Sequence, residues 1–218
     1  MKKYNFIDLF AGAGGLSEGF IRAGFNPIAH VEMNPDACNT LKTRTAFHYL
    51  KEKGRVNEYN EYLKGEITRD ELWSKIPQHL ISSVINKEIS PETLPQIFNI
   101  IDQELQEKDV DIVIGGPPCQ AYSVAGRARK NMDDDPRNHL YKHYVEFLKR
   151  YKPKMFVFEN VPGILSASNG KYLEKIFSAV KEQGYELEKN VLNAKDFNVL
   201  QDRKRVIIIG YKKSLGLH

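Results

Sequence analysis

Three places in this chain hold residues whose types could do chemistry together. The first is Cys119, in "DIVIGGPPCQAYSVAG" (111–126), where Ile112, Val113 and Ile114 run into two glycines and two prolines. Pro117 and Pro118 fix φ and remove two backbone donors, which gives the following thiol a set direction. The second is Glu159 in "KMFVFENVPG" (154–163), and the third is "QDRKR" (201–205), which supplies Arg203 and Arg205. A basic neighbour favours the thiolate, the nucleophilic form of cysteine. A thiol, a carboxyl and an arginine suit addition to an electron-poor ring. The thiolate adds to one carbon, the protonated carboxyl hydrogen-bonds the ring-nitrogen side, and the arginine stabilises charge growing on a ring oxygen. An inert thiol, a capping glutamate and a solvated arginine pair would leave "GGPPCQ" and "FENVPG" without explanation.

A second constellation lies near the N-terminus. "FIDLFAGAGGLSEGF" (6–20) places a glycine-rich turn between a strand pattern and a helix pattern. Glycines there allow tight dihedrals and a close approach of backbone to ligand. The spacing is Gly12-x-Gly14-x-x-Ser17, so the third glycine of a dinucleotide fingerprint is absent. Glu32 follows Gly12 by twenty positions, at the end of the next strand pattern. An acid at that place suits the two hydroxyls of a ribose.

These residues need a scaffold that brings strand ends together. Strand patterns fall at 4–10, 27–33, 111–116, 154–160, 185–193 and 205–211, and helix patterns at about 15–24, 34–52, 91–107, 138–151 and 168–183. Ser90 reads as an N-cap with Pro91 at the first helical position. The alternation predicts an α/β fold with a doubly wound, mostly parallel sheet, whose ligands bind at the carboxyl ends of the strands. Residues 41–89 break the rhythm: they are polar and mostly helical in pattern, with a capping box in "TRDE" (68–71). They read as a helical insertion within a single catalytic and cofactor-binding domain, 1–218. The loop 121–139 has no period and is rich in charge, as active-site lids often are.

Composition narrows the class. The formal net charge is +4, so the whole-chain balance does not announce a nucleic-acid binder, although local basic clusters remain. There are two cysteines, Cys38 and Cys119, with no CxxC and no Cys/His ligand spacing. No metal site, no disulfide framework and a reducing cytosol are the expectation. The N-terminus lacks a signal-peptide pattern, and no run of about 18 apolar residues exists to span a membrane.

"FIDLFAGAGG", "GGPPCQAYS", "FVFENVPG" and "LNAKDFNVLQDRKR" (192–205), in this order, resemble the motifs of the cytosine-C5 DNA methyltransferases. The resemblance implies a class I, Rossmann-like methyltransferase fold and S-adenosyl-L-methionine as cofactor, with S-adenosyl-L-homocysteine as product. It implies that Cys119 attacks C6 of a cytosine flipped out of double-stranded DNA, since the reactive carbons are otherwise stacked. Glu159 would hold N3 and the exocyclic amine, and Arg205 would contact O2 with Arg203 in support. Around the cofactor, Phe10 would pack on the adenine, Ala11, Gly12, Gly14 and Gly15 would line the methionine end, and Glu32 would bind the ribose. Asp8, Leu16 and Pro118 complete the pocket, with Met33 where the family often has tryptophan and Glu88-Ile89 in place of an Asp-Ile pair at the adenine amine. Gln120, Ser123, Arg127, Arg129, Lys130 and Gln201 would meet DNA, the basic ones at phosphates, which position without specifying sequence.

The resemblance stops at "VIIIGYKKSLGLH" (206–218). Family members continue into a target-recognition region and a returning Asn-Ser-Val motif. The expectation is therefore a C-terminal part or partner subunit that carries target recognition, and an uncovered apolar surface near the first strand and helix. The implied setting is restriction–modification in a bacterial cytoplasm, at the nucleoid. Three other readings use parts of the same pattern. A tRNA cytosine methyltransferase would usually follow "PPCQ" with Pro-Phe-Thr instead of "AYS". An inactive cofactor- or DNA-binding module has no need of Cys119, Glu159 and Arg205 together, and a nicotinamide dehydrogenase leaves "PPCQ" unexplained.

Overall fold

The computed structural model describes residues 3–118 and 140–216. Cys119, Gln120, Ser123, Arg127, Arg129 and Lys130 lie outside the described residues, as does the 121–139 loop. The described elements are β1 (Asn5–Leu9), α1 (Gly15–Arg22), β2 (Asn26–Glu32), α2 (Pro35–Glu52), α3 (Val56–Leu63), α4 (Arg69–Ser74), α5 (Gln78–Ser82), β3 (Val84–Asn86), α6 (Leu94–Leu105), β4 (Ile112–Gly115), α7 (Leu140–Tyr151), β5 (Met155–Asn160), α8 (Lys171–Lys181), β6 (Tyr185–Asn193) and β7 (Lys204–Lys212). The strands form a seven-stranded sheet of order β3-β2-β1-β4-β5-β7-β6. β1/β4, β4/β5 and β2/β3 are parallel, and β7 runs antiparallel to both β5 and β6. The α/β, mostly parallel architecture is the one the alternation predicts.

Two compact units make up the chain: Met1–Leu9 with Lys108–His218, and Phe10–Glu107. In the first, β1 and β4 approach so closely at Gly115 that a Cβ there would collide with the Leu9 carbonyl oxygen, which excludes every side chain. Tyr144 of α7 is 1 % exposed, and its hydroxyl lies 3.0 Å from the Val113 carbonyl and 3.1 Å from that of Val157. Burial pushes this phenol well up from its usual range, with the Asp8 charge and Tyr185 acting in the same sense, so it stays a donor to β4 and β5. Tyr144 meets Phe158 edge to face at 5.3 Å, and Phe156 meets Tyr185 at 5.3 Å, the ring geometry that aromatic quadrupoles prefer. These contacts fix β5, the strand that ends in Glu159 and Asn160.

In the second unit α2 serves two cores. Its first half packs Cys38 and Leu41 with Val84 and Ala11. Its second half packs Ala46 and Leu50 with Leu72 and Ile76, flanked by Tyr49, Tyr59, Tyr62 and Trp73. Leu50 and Leu72 are fully buried, each worth about 1.5–3 kcal/mol of removed apolar surface. The second half of α2 and helices α3 to α5 thus surround a small core, whereas β3, also within 41–89, joins the sheet beside β2, and the capping box is present: Glu71 N–H donates to Thr68 Oγ1 and Thr68 N–H to the Glu71 carboxylate.

Local departures from the sequence reading have local causes. α6 begins at Leu94, with Thr93 and not Ser90 at the cap position and Pro95 in its first turn; residues 90–93 form a separate turn, in which Ser90 O accepts from Thr93 and Leu94 N–H. α8 begins at Lys171, because Ser168, Asn169 and Gly170 all have positive φ. β3 has three residues, too few for a period-2 pattern to register. No helix among the described residues is long and apolar enough to cross a membrane.

Candidate functional site

The glycine turn leaves β1 through three left-handed residues: Phe10 (φ 56°), Gly12 (φ 54°) and Gly14 (φ 82°). Phe10 carries a side chain in this conformation, which is uncommon for a bulky residue. Gly14 is favoured by its φ, and a Cβ there would also press on Leu41 Cδ2 at 2.8 Å, so that the buried leucine would have to shift. Ala11 N–H donates to the Val31 carbonyl, which ties the turn to β2. Among the described residues a Cβ on Gly12 or Gly15 would meet nothing within 4 Å, so this backbone is open to approach.

Glu32, the last residue of β2, completes this first cluster. Its Oε2 accepts from Gly12 N–H at 2.8 Å, and its Oε1 from Asn34 N–H at 2.8 Å. The acid twenty positions after Gly12 therefore grips the glycine turn itself and holds its own orientation by doing so. Asn34 caps α2 by accepting from Asp36 and Ala37 N–H. Asn86 at the end of β3 donates to the carbonyls of Glu32 and Met33. Sequence reading gave Asn34 and Asn86 no role; "NPD" is a helix-start signal that could have revealed the first. Met33 is 64 % exposed. Ile89 is buried and Glu88 is exposed, its carbonyl accepting from the Thr93 hydroxyl. Leu16 is half-buried on α1, and Asp8 is buried on β1 in the other unit.

A second cluster lies at the carboxyl end of β5. Arg205 Nε lies 2.6 Å from Glu159 Oε1, with the two side chains 22 % and 29 % exposed. The antiparallel register explains the meeting: Glu159 pairs with Ile207, two residues from Arg205 and on the same face. Arg205 also donates to the Lys204 carbonyl. Glu159 Oε2 leans over the end of β4, where a Cβ on Gly116 would lie 2.6 Å from it. One residue on, the buried Asn160 donates its side-chain amide to the Pro117 carbonyl at 3.0 Å and accepts from Val161 N–H. Gly116, Pro117, Glu159 and Arg205 thus converge; Pro118 follows, half-buried, at the edge of the described residues.

Arg203 does not join this cluster by its side chain, which is exposed. Its backbone closes the β6–β7 connection, with N–H to Asn193 Oδ1 and carbonyl to Ala194 N–H. Gln201 is likewise exposed. The start of β7 explains the difference: Arg205 lies within the strand, facing Glu159, whereas Arg203 precedes it. Among the described residues no cluster of three or more His, Cys, Asp or Glu could hold a metal ion.

A family model described as C-5 cytosine-specific DNA methylase matches residues 4–70 and 81–218. The Type II methyltransferase M.Bpa9945I of Bacillus paralicheniformis is 41 % identical over 240 residues, covering 96 % of this chain and 54 % of the relative. M1.HphI of Haemophilus parahaemolyticus is 35 % identical, over 95 % of this chain and 45 % of the relative. M.AquIA of Picosynechococcus is 36 % identical, over 94 % of this chain and 70 % of the relative. A solved prophage protein of E.coli, assigned as a DNA modification methyltransferase, superposes with a TM-score of 0.65 at 28 % identity, over 99 % of this chain and 49 % of that one. The chain spans about half the length of the first two relatives. Matched from residue 4 to residue 218 with one short gap, the chain belongs to the C-5 cytosine-specific DNA methylase family.

Proposed function

We propose that this chain is the catalytic part of a DNA (cytosine-5-)-methyltransferase of a restriction–modification system, with Cys119 as nucleophile and Glu159 and Arg205 as the groups that hold the target base. The observation that carries the reading is the Glu159–Arg205 pair at the end of β5, set against Gly116 and Pro117 just before the thiol. The Cys119 thiolate adds to C6 of a cytosine drawn out of the duplex, forming an Sγ–C6 bond and leaving C5 electron-rich. Glu159 meets the N3 and amine edge of the ring, and Arg205 stabilises negative charge on O2. Once C5 has taken up a methyl group, its proton passes to solvent water as the Sγ–C6 bond breaks, the C5–C6 double bond re-forms and the thiolate is restored.

The glycine turn suits S-adenosyl-L-methionine: the open approach to Gly12 and Gly15 lets a ligand reach the backbone, and Glu32 is held in place for the ribose hydroxyls. Phe10, Ala11, Gly14, Leu16, Met33, Glu88 and Ile89 are the further cofactor contacts proposed in this unit, and Asp8 and Pro118 those proposed in the other. Bound there, the cofactor supplies the electrophilic methyl group that C5 takes up. Arg127, Arg129, Lys130, Ser123, Gln120 and Gln201 are the proposed contacts to DNA. A C-terminal part or partner subunit supplies target recognition, and the complex works on DNA in a bacterial cytoplasm. α1 fits such an association, since it fully buries only Ser17 and leaves Leu16, Phe20 and Ile21 half-exposed.

Transfer of tritium from labelled S-adenosyl-L-methionine to unmethylated DNA tests this, using the chain alone and the chain with a C-terminal partner. The expected result is transfer that Cys119→Ser abolishes. Transfer by Cys119→Ser at the wild-type rate would overturn the mechanism.

A further inference from the structure

We propose that Asn160 is a positioning residue for Cys119: its side-chain amide ties β5 to the Pro117 carbonyl, two residues before the thiol, at a strand end where Pro117 and Pro118 bring no backbone N–H of their own. This rests on the reading of Cys119 and Glu159 as nucleophile and base-holding acid.

The parallel ladder between β4 and β5 runs from Ile112↔Met155 to Gly115↔Phe158. Continued by two residues, it would set Gly116 beside Glu159 and Pro117 beside Asn160. Prolines bring no N–H to a ladder, so the strand end that delivers the thiol has no backbone donor with which to hold its neighbour. Asn160 supplies the connection from the other side. Its backbone is committed to β7, in register with Val206. Its side chain turns the other way, Nδ2 to the Pro117 carbonyl at 3.0 Å, and is itself fixed by Val161 N–H at 2.9 Å on Oδ1. Both amide atoms are thereby used, and the residue is 5 % exposed. Glu159 and the tether occupy adjacent positions of one strand, so the place of the carboxyl and the place of the turn are set by the same piece of β5. Gly116 completes the arrangement, because any side chain there would push Glu159 Oε2 aside. An aspartate at position 160 would keep the shape but present a second acceptor to the Pro117 carbonyl.

The test measures proximity and needs no activity. In the full chain, Glu159→Cys supplies a second thiol, and its disulfide with Cys119 is the readout. The equilibrium with glutathione gives the effective concentration of one thiol at the other. Cys38 stays out of the exchange, since it is 2 % exposed and its thiol is pushed up by burial and by the Glu32 charge. Adding Asn160→Ala or Asn160→Asp should lower the effective concentration at least tenfold while far-UV circular dichroism stays native. If Asn160→Ala does not fold, Asn160→Ser takes its place, its side chain being too short to reach Pro117. An unchanged effective concentration in these variants would overturn the proposal. So would an aspartate that behaves like asparagine, or a disulfide between Cys119 and the thiol introduced at position 159 that never forms. Failure of the functional reading appears elsewhere, as transfer that survives Cys119→Ser.

Discussion

Arg205 Nε and Glu159 Oε1 lie 2.6 Å apart, on antiparallel neighbours β7 and β5, and each side chain is less than one-third exposed. An ion pair this open contributes about 0–1 kcal/mol to stability. Its position matters more than its energy: the register that joins Glu159 to Ile207 brings a cation and an acid to one strand end, beside Gly116.

Arg205→Ala should therefore leave thermal stability almost unchanged, shifting it by less than about 1 kcal/mol. Methyl transfer should fall by about 10²-fold or more, the usual loss when one charge-stabilising donor is removed. Arg203→Ala, whose side chain is exposed and whose backbone does the structural work, should cost much less. Rates of tritium transfer compared with urea unfolding separate the two effects.

Gly116→Ala tests the same corner from β4. The added methyl group would meet the end of the Glu159 side chain at 2.6 Å. That end can swing away, so the fold should survive with a melting temperature within a few degrees of wild type. The carboxyl would then be displaced, and transfer should collapse. A variant that keeps full activity would show that this orientation of Glu159 is dispensable.

Glu32→Ala removes the acceptor of Gly12 and Asn34 N–H. Hydrogen bonds to a charged group are worth about 1.5–3 kcal/mol each, and water recovers part of that at this half-exposed site. A loss of about 1–2 kcal/mol in urea unfolding is expected, together with a fall of tenfold or more in affinity for S-adenosyl-L-homocysteine by calorimetry. Glu32→Gln keeps one acceptor oxygen and should fall between.

Glu18 joins α1 to α2 through Arg44 and His48, its Oε2 lying 2.8 Å from His48 Nε2. Burial alone would raise this carboxyl, but the hydrogen bond and charge of His48 and the charge of Arg44 outweigh it and hold the group below its ordinary 4.5. A depressed acid stabilises the fold above its unfolded pKa, and that contribution is lost as pH falls through the folded value. Wild type should exceed Glu18→Gln in urea stability at pH 7, and the gap should shrink as pH falls below 4.5 and vanish once pH is below the depressed folded value. A gap that persists at low pH would mean that packing, not charge, joins the helices here.

Sequence made the scaffold legible where the pattern was long and local. The β4 and β5 strands showed as apolar runs that end in "GGPP" and "ENVP", and "TRDE" showed its capping box. Glu32, Glu159 and Arg205 could be singled out because acids and bases at strand ends have few structural reasons to be there. What sequence could not show depended on register. Arg205 and Arg203 look equivalent in "QDRKR", and only the pairing of β7 with β5 brings one of them to Glu159. Asn160 was hidden because its partner is a carbonyl 43 residues away in sequence. Asn86 was hidden because a three-residue strand has no period. The late start of α6 shows local competition, in which a turn at 90–93 prevails over an apparent Ser-Pro cap.

The central claim is covalent attack by Cys119 on the base, and intact mass spectrometry on a DNA complex tests it most directly. Duplex DNA with 5-fluorocytosine at the target, incubated with S-adenosyl-L-methionine and the chain, alone or with a candidate C-terminal partner, should give one protein–DNA adduct, because fluorine at C5 cannot leave as a proton does. Peptide mapping should place the adduct on Cys119, and Cys119→Ser should abolish it. Methylation of ordinary DNA without such an adduct, or an adduct that survives Cys119→Ser, would contradict the account.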